Sequence, residues 1–338
     1  MFSGMKEAMR RSVTLQDIAD HCGFSKSTVA QVLRSPERCK AAAATRKQVL
    51  AAARELGYQP NLTARSLSTR RSFTIGVMFP AVGSFYHELV IRLDAILAQH
   101  GYYGLFSYWP TRLDAHSAFR HAFDRMRQYG VDGIITCEYD ESLAEEGIPI
   151  VTYGNERRLM DCVYPDKKEY AVQAVRYLYE RGHRRMAFMG FFEDVRYQAL
   201  KQAMTEVGVA VNPTWMIPAS NVLEANFDRI REILSQPTRP TAVITHSDHL
   251  AMGVILTAHE VGKRVPDDLS VLSYDNLREA AFCLPPLTTF DQRFDLAANL
   301  LAETVIRRIE TPSLPQQKRH YTMPLIERAS VASPPLEA

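Results

Sequence analysis

Cysteine is scarce in this chain of 338 residues: Cys22, Cys39, Cys137, Cys162 and Cys283 are 5 scattered thiols, an odd number with no CxxC spacing. That argues against a disulfide framework and against a structural zinc. No stretch approaches the roughly 18 consecutive apolar residues of a membrane span, so no membrane partner is expected. The opening MFSGMKEAMRRSV has a basic pair without an apolar run after it, unlike a secretory signal, and the expectation is a cytoplasmic protein. Also missing are G-x-x-x-x-G-K-[ST], G-x-G-x-x-G after a strand, H-E-x-x-H and G-x-S-x-G. These absences leave no catalytic residue, metal or cofactor to assign, and the expectation is that the chain is not an enzyme.

A charge excess is missing from the total, which is +2, but not from its distribution. Residues 1 to 71 hold 13 Lys or Arg against 5 Asp or Glu, a net of +8, which leaves 27 against 33, or −6, for the rest. A basic head on an acidic body implies that the head alone meets a polyanion. The length fits two to three domains, and 46% hydrophobic residues suffice for a substantial core.

The head opens with TLQDIADHCGFSKSTVAQVL, residues 14 to 33. Thr14 and Asp17 have capping-box spacing, which starts a helix at Leu15 with Leu15, Ile18, Ala19 and Cys22 as its apolar stripe. Gly23 supplies a left-handed end and Phe24 an apolar plug. Ser25 caps a second helix in which Val29, Val32 and Leu33 face inward. Its outward Lys26, Ser27, Thr28 and Gln31 are polar, short-armed and weakly charged, which suits reading base edges. Thr45 and Gln48 form a second capping pattern before Val49, Leu50, Ala53 and Leu56, and Gly57 ends that helix.

The order T-L-x-D-I-A, G-F-S-K-S-T-V, T-R-x-x-V, G-Y-x-P-N and A-R-S-L (Ala64 to Leu67) resembles the DNA-binding headpiece of the lactose-repressor-type (LacI/GalR) family of bacterial transcription regulators. The resemblance implies a helix-turn-helix domain over 1–60 and a hinge and linker over 61–72. The DNA contacts it implies are Thr14, Gln16, Ser25, Lys26, Ser27, Thr28 and Gln31, with Asn61, Ala64 and Leu67 in the hinge. Asn61 to Leu67 is about two helical turns, too short to be stable alone. In the family two such hinges pair in the minor groove, and a leucine at the place of Leu67 wedges between base pairs.

From Phe73 the pattern changes to short β-branched runs alternating with amphipathic stretches, an α/β class with parallel sheets covered on both faces. Strands are read at 73–79, 103–108, 132–137, 149–153, 185–190, 241–246 and 269–275. Helices are read near 86–99, 115–129, 169–181, 195–207, 227–234 and 250–261. IGVMFP, GVDGII, ERGHRRMAFMG, SDHLAMG and VPDDLSVLSYDN are similar to the family's effector core, itself like periplasmic sugar-binding proteins. That implies two lobes within 73–331, lobe one about 73–161 and 291–318, lobe two about 162–290 and 319–331, with three chain crossings. Ligands in such folds bind at the carboxyl ends of strands. Phe85, Tyr86, Trp109, Phe192, Arg196 and Asp248 fall there; Arg196 and Asp248 match the family's arginine and aspartate. His183, in Gly182-His183-Arg184-Arg185, reads as structural. Gly154 and Ala199-Leu200 depart from the family pattern, as do Ala30-Gln31 and Arg34 in the head, so neither effector nor operator carries over from better-known members.

The reading expected is a ligand-responsive repressor binding a palindromic operator as a homodimer. Its effector is a small molecule, a sugar or sugar acid. The alternative is a solute-binding sensor without DNA regulation. The tail Ser333 to Ala338 lacks the leucine heptads of tetrameric relatives.

Overall fold

The computed structural model describes all residues except 1–12, 35–38, 59–65, 67–68, 70, 82–83, 110–114, 139, 220–222 and 336–338. The expected hinge contacts Asn61, Ala64 and Leu67 lie outside the described residues. The chain divides into a unit ending at Ser72 and one beginning at Phe73.

The described residues of the first unit include the helices α1 (Leu15–Cys22), α2 (Lys26–Arg34) and α3 (Ala43–Glu55). Thr14 caps α1 reciprocally, its hydroxyl accepting from the Asp17 amide at 3.3 Å while its own amide donates to the Asp17 carboxylate at 2.7 Å. Gly23 ends α1 at φ 73, where a side chain would be strained. Ser25 Oγ accepts from the Thr28 amide at 3.1 Å and starts α2. Ile18, Val29, Val32 and Val49 are fully buried against one another, with Phe24 packed on them. The expected Thr45/Gln48 cap is corrected: α3 begins at Ala43 after Ala42, with no side-chain cap. The alanine run extends the helix N-terminally because alanine is the strongest helix former.

In the second unit, nearly all-apolar strands require helices on both faces. Its strands are β1 (Thr74–Pro80), β2 (Tyr103–Trp109), β3 (Gly133–Thr136), β4 (Ile150–Tyr153), β5 (Asp161–Pro165), β6 (Met186–Gly190), β7 (Met216–Pro218), β8 (Ala242–Thr245), β9 (Ser270–Asp275), β10 (Thr288–Asp291), β11 (Lys318–Tyr321) and β12 (Leu325–Ile326). Its helices are α4 (Phe85–Gln99), α5 (Ala115–Gln128), α6 (Lys167–Glu180), α7 (Val195–Glu206), α8 (Leu223–Leu234), α9 (Asp248–Glu260) and α10 (Phe294–Glu310).

One sheet has the order β11-β5-β4-β3-β1-β2 and the other β12-β10-β9-β8-β6-β7. Every pairing is parallel except β10 with β12. The chain crosses between the lobes three times: after β5, between β10 and α10, and between β11 and β12. The lobe limits therefore shift from the expected ones. β5 pairs with β4, so the first lobe runs to Pro165 instead of 161; β11 pairs with β5, so it also keeps residues up to Tyr321. Short strands with polar neighbours hid these limits from hydropathy.

His183 is structural. Its Nε2 donates to the Ala332 carbonyl at 2.8 Å, which leaves Nδ1 to accept from the Thr241 hydroxyl at 2.9 Å.

Candidate functional site

A cavity of about 480 Å³ opens between the lobes where strand ends converge. The first lobe contributes Phe85 and Tyr86 from the start of α4, Cys137 after β3, and Tyr153, Gly154 and Asn155 at the end of β4. The second contributes Lys167 and Tyr170 from α6, Phe191 after β6, Asp194 and Arg196 at the start of α7, His246 after β8, and Asp275 and Gln292. Tyr86 lies flat on Phe79 with centroids 4.7 Å apart, and Phe85 meets Tyr86 edge-on at 5.0 Å. These contacts fix one aromatic wall. Phe191 stands edge-on to His246 at 4.7 Å and forms another.

The polar side is organised by Asp194. As N-cap of α7 it accepts from the Arg196 amide at 2.9 Å. Its two oxygens also take the Arg196 guanidinium, from Nε at 2.9 Å and Nη2 at 3.1 Å. Lys167 Nζ donates to Asp194 at 3.2 Å and to Asn155 Oδ1 at 2.9 Å, so it bridges the lobes. Burial raises the Asp194 pKa, but Arg196 and Lys167 outweigh it and hold the carboxyl well below the usual range. Arg196 further donates to the His246 carbonyl at 3.1 Å and to its Nε2. Burial, reinforced by the Arg196 charge, keeps His246 neutral, its pKa well below the usual value.

At the opposite corner Asp275 accepts from Gln292 Nε2 at 3.1 Å and from the Asp248 amide at 3.4 Å. Burial and then the neighbouring Asp248 push the Asp275 carboxyl well above its usual range. Burial likewise pushes the Cys137 thiol up to about 12, even with a hydrogen bond to Tyr86 opposing, so this cysteine is no nucleophile at neutral pH.

Of the six residues expected at this site, Phe85, Tyr86 and Arg196 line the cavity. Three expectations are corrected. Trp109 is 2% exposed and packs edge-on against Phe119 at 5.3 Å, under α5, because strand alternation puts it on the same face as Leu105. Phe192 stacks on Tyr197 at 4.1 Å, and its neighbour Phe191 lines the cavity in its place. Asp248 is fully buried at the start of α9, accepting from the Leu277 amide and the Thr289 hydroxyl at 2.7 Å each, and braces the loop after β9. Lys167, Asp194, His246, Asp275 and Gln292 were missed. Reading α6 from Glu169 left Lys167 in a loop, whereas Asp194, two residues before Arg196, was readable as an N-cap.

Thr14, Gln16, Ser25, Lys26, Ser27 and Gln31 are exposed, and Thr28 is half-buried. Gln16 is held by Asp20 at 2.8 Å, and the Ser25 and Thr28 hydroxyls are 2.9 Å apart. No group of His, Cys, Asp and Glu suited to a metal ion, and no helix long and apolar enough to cross a membrane, occurs among the described residues.

Residues 14–61 match the model of bacterial regulatory proteins of the lacI family, and 175–331 that of a periplasmic binding protein-like domain. The chain is 33% identical over 342 residues to the HTH-type transcriptional repressor PurR of Escherichia coli (strain ATCC 8739), covering 95% of this chain and 98% of that one. It is 32% identical over 295 residues to the HTH-type transcriptional repressor CytR of Escherichia coli (strain K12), covering 83% and 85%. Among solved structures, a lac repressor dimer bound to operator and the anti-inducer ONPF superposes with TM-score 0.79 at 22% identity, covering 95% of this chain and all of that one. A CelR–cellobiose complex superposes with TM-score 0.67 at 24% identity, covering 94% and 99%.

Proposed function

The chain belongs to the lacI family of bacterial regulatory proteins, and from that premise we propose that it is a cytoplasmic transcriptional repressor. It grips a palindromic operator as a homodimer and answers to a small polar metabolite held between its lobes. The observation that carries the DNA half is α2 itself. A side-chain cap starts it, a buried Val29–Val32 seam holds it, and Lys26, Ser27 and Gln31 are turned outward. One such helix covers only a few base pairs, so two copies on a two-fold axis are needed for a specific site. Exposed Leu256, Phe282 and Leu284 on the second lobe are apolar surface of the kind a second copy covers.

The effector half rests on the cavity, whose volume is in the range of small-molecule sites and whose aromatic walls enclose a few convergent polar groups. A solute-binding sensor without DNA regulation would leave the capped helix-turn-helix unit without a role. The chemistry of the site includes no activated nucleophile, and His183 is consumed in joining the tail to the second lobe.

Selection of operators from a random DNA pool by the full-length protein tests the reading. The wild type is expected to select an inverted repeat. Gln31→Ala and Ser27→Ala are expected to change the base preferred at one or two positions per half-site, each worth about 1–3 kcal/mol of discrimination. Uniform weakening at every site would move base reading away from α2.

A further inference from the structure

The two sheets of the second unit end in four edge strands, and three of these are blunted against pairing with another chain. β7 has three residues and finishes in Pro218, β12 has two, and β11 carries Lys318 and Arg319. Shortness, proline and charge are the usual devices that keep a free edge from templating a foreign strand. β2 has none of them. It runs for seven residues, Tyr103-Gly104-Leu105-Phe106-Ser107-Tyr108-Trp109, without a charge or a proline, and Tyr103 and Tyr108 are 56% and 48% exposed.

The ladder with β1 shows which groups of β2 are free. The Tyr103 amide donates to the Phe73 carbonyl and the Trp109 carbonyl accepts from the Ala81 amide, both at 2.8 Å, so in the parallel register Tyr103, Leu105, Ser107 and Trp109 bond to β1. Successive residues of a strand turn their N–H and C=O groups to opposite sides. Those of Gly104, Phe106 and Tyr108 therefore point away from β1, to a side on which no strand pairs with β2 among the described residues.

We propose that β2 pairs antiparallel with β2 of a second copy about a two-fold axis, which joins the first-lobe sheets of the two copies into one. This rests on the reading of the protein as a homodimer and names a surface that makes it. A strand that crosses its own copy on a two-fold axis meets its own residues near that axis, so a charge there would face the same charge, and β2 has none. Centred on Phe106, the pairing sets Gly104 of each copy opposite the partner's Tyr108, and each facing pair exchanges both of its N–H···O bonds. The shapes agree with this register. A side chain at Gly104 would collide with the Phe106 ring, so that ring covers the glycine and leaves an apolar shelf for the exposed tyrosine opposite.

The test uses the full-length protein without DNA. It is expected to sediment as a dimer in which the amides of Gly104, Phe106 and Tyr108 exchange with solvent as slowly as those of Leu105 and Ser107, read residue by residue by mass spectrometry. A dimer whose three outward amides exchange at the rate of an open strand overturns the pairing and leaves dimerisation standing. A protein that stays monomeric overturns the dimer reading as well, and slow exchange in such a monomer gives the edge to another segment. Tyr108→Pro removes an N–H that points away from β1, so the ladder within one copy stays whole. This variant is expected to raise the dissociation constant of the dimer about ten-fold or more with an unchanged far-ultraviolet dichroism spectrum, since each copy loses a hydrogen bond of the interface. A dissociation constant equal to that of the wild type overturns the proposal.

Discussion

Asp248 and Asp275 share a buried corner in which neither has an ion-pair partner among the described residues, and this sets a pH dependence. Burial pushes Asp248 up to about 6, with hydrogen bonds from Thr289 and Leu277 opposing; Asp275 is also held well above the usual carboxyl range, by burial and by Asp248. Both folded values exceed the ordinary carboxyl value of about 4. Their stabilising contribution is therefore complete below about 4 and is lost as pH rises through about 6 and beyond. Asp194 is the opposite case, its contribution present above about 4 and lost below it. Trp109 and Trp215, the 2 tryptophans, both lie after Ser72, so their fluorescence follows unfolding of the core without the head. The urea midpoint of the unliganded core is expected to fall between about pH 5 and 8, and Asp275→Asn to flatten that fall. A midpoint that rises over this interval would contradict the assignment. Arg196 was legible in the sequence through its match to the arginine that opens the family's helix after the first strand of the second lobe. Asp248 was misread for the same reason in reverse: it also opens a helix after a strand, but its side chain turns toward Leu277 and Thr289. Which way a side chain turns at a strand end depends on loops far away in sequence, and spacing does not encode it.

Helices were read better than strands. The capping box put the start of α1 at Leu15, where it lies, because side-chain to backbone hydrogen bonds are local and so are their residues. Thr14→Ala is expected to cost the head about 1 kcal/mol, read as faster amide exchange throughout α1 with the core unchanged. Unaltered exchange in α1 would mean that packing on Ile18 alone holds the helix. α10 was overlooked although Phe294, Ala297, Ala298, Leu301 and Val305 have helical spacing and are buried. β5, β7, β10, β11 and β12 were overlooked for a different reason. They have only two to five residues each, and β11, Lys-Arg-His-Tyr, gains its place from pairing with β5 and not from its own hydropathy. Short strands of this kind are set by tertiary pairing.

For the whole molecule the expectation is a dimer, with a tetramer in light scattering of the full-length protein as the contrary result. Coupling between the two units is proposed to run through the hinge at 61–67. Leu67→Ala is expected to abolish most specific operator binding and spare non-specific binding, since wedging a base step costs a few kcal/mol that only specific docking offsets. Equal amide exchange at 61–67 with and without operator would remove the hinge from the mechanism. The last crossing of the chain has a genetic corollary. β11 closes one sheet, β12 edges the other, Ser330 Oγ accepts from the Thr288 amide at 2.8 Å, and the Ala332 carbonyl receives His183. Neither lobe is a contiguous stretch of the gene, and both are completed by codons from 318 onward. A nonsense mutation just ahead of codon 318 would therefore spare every residue proposed here to touch DNA or effector and still be expected to behave as a null allele, unfinished in both lobes at once.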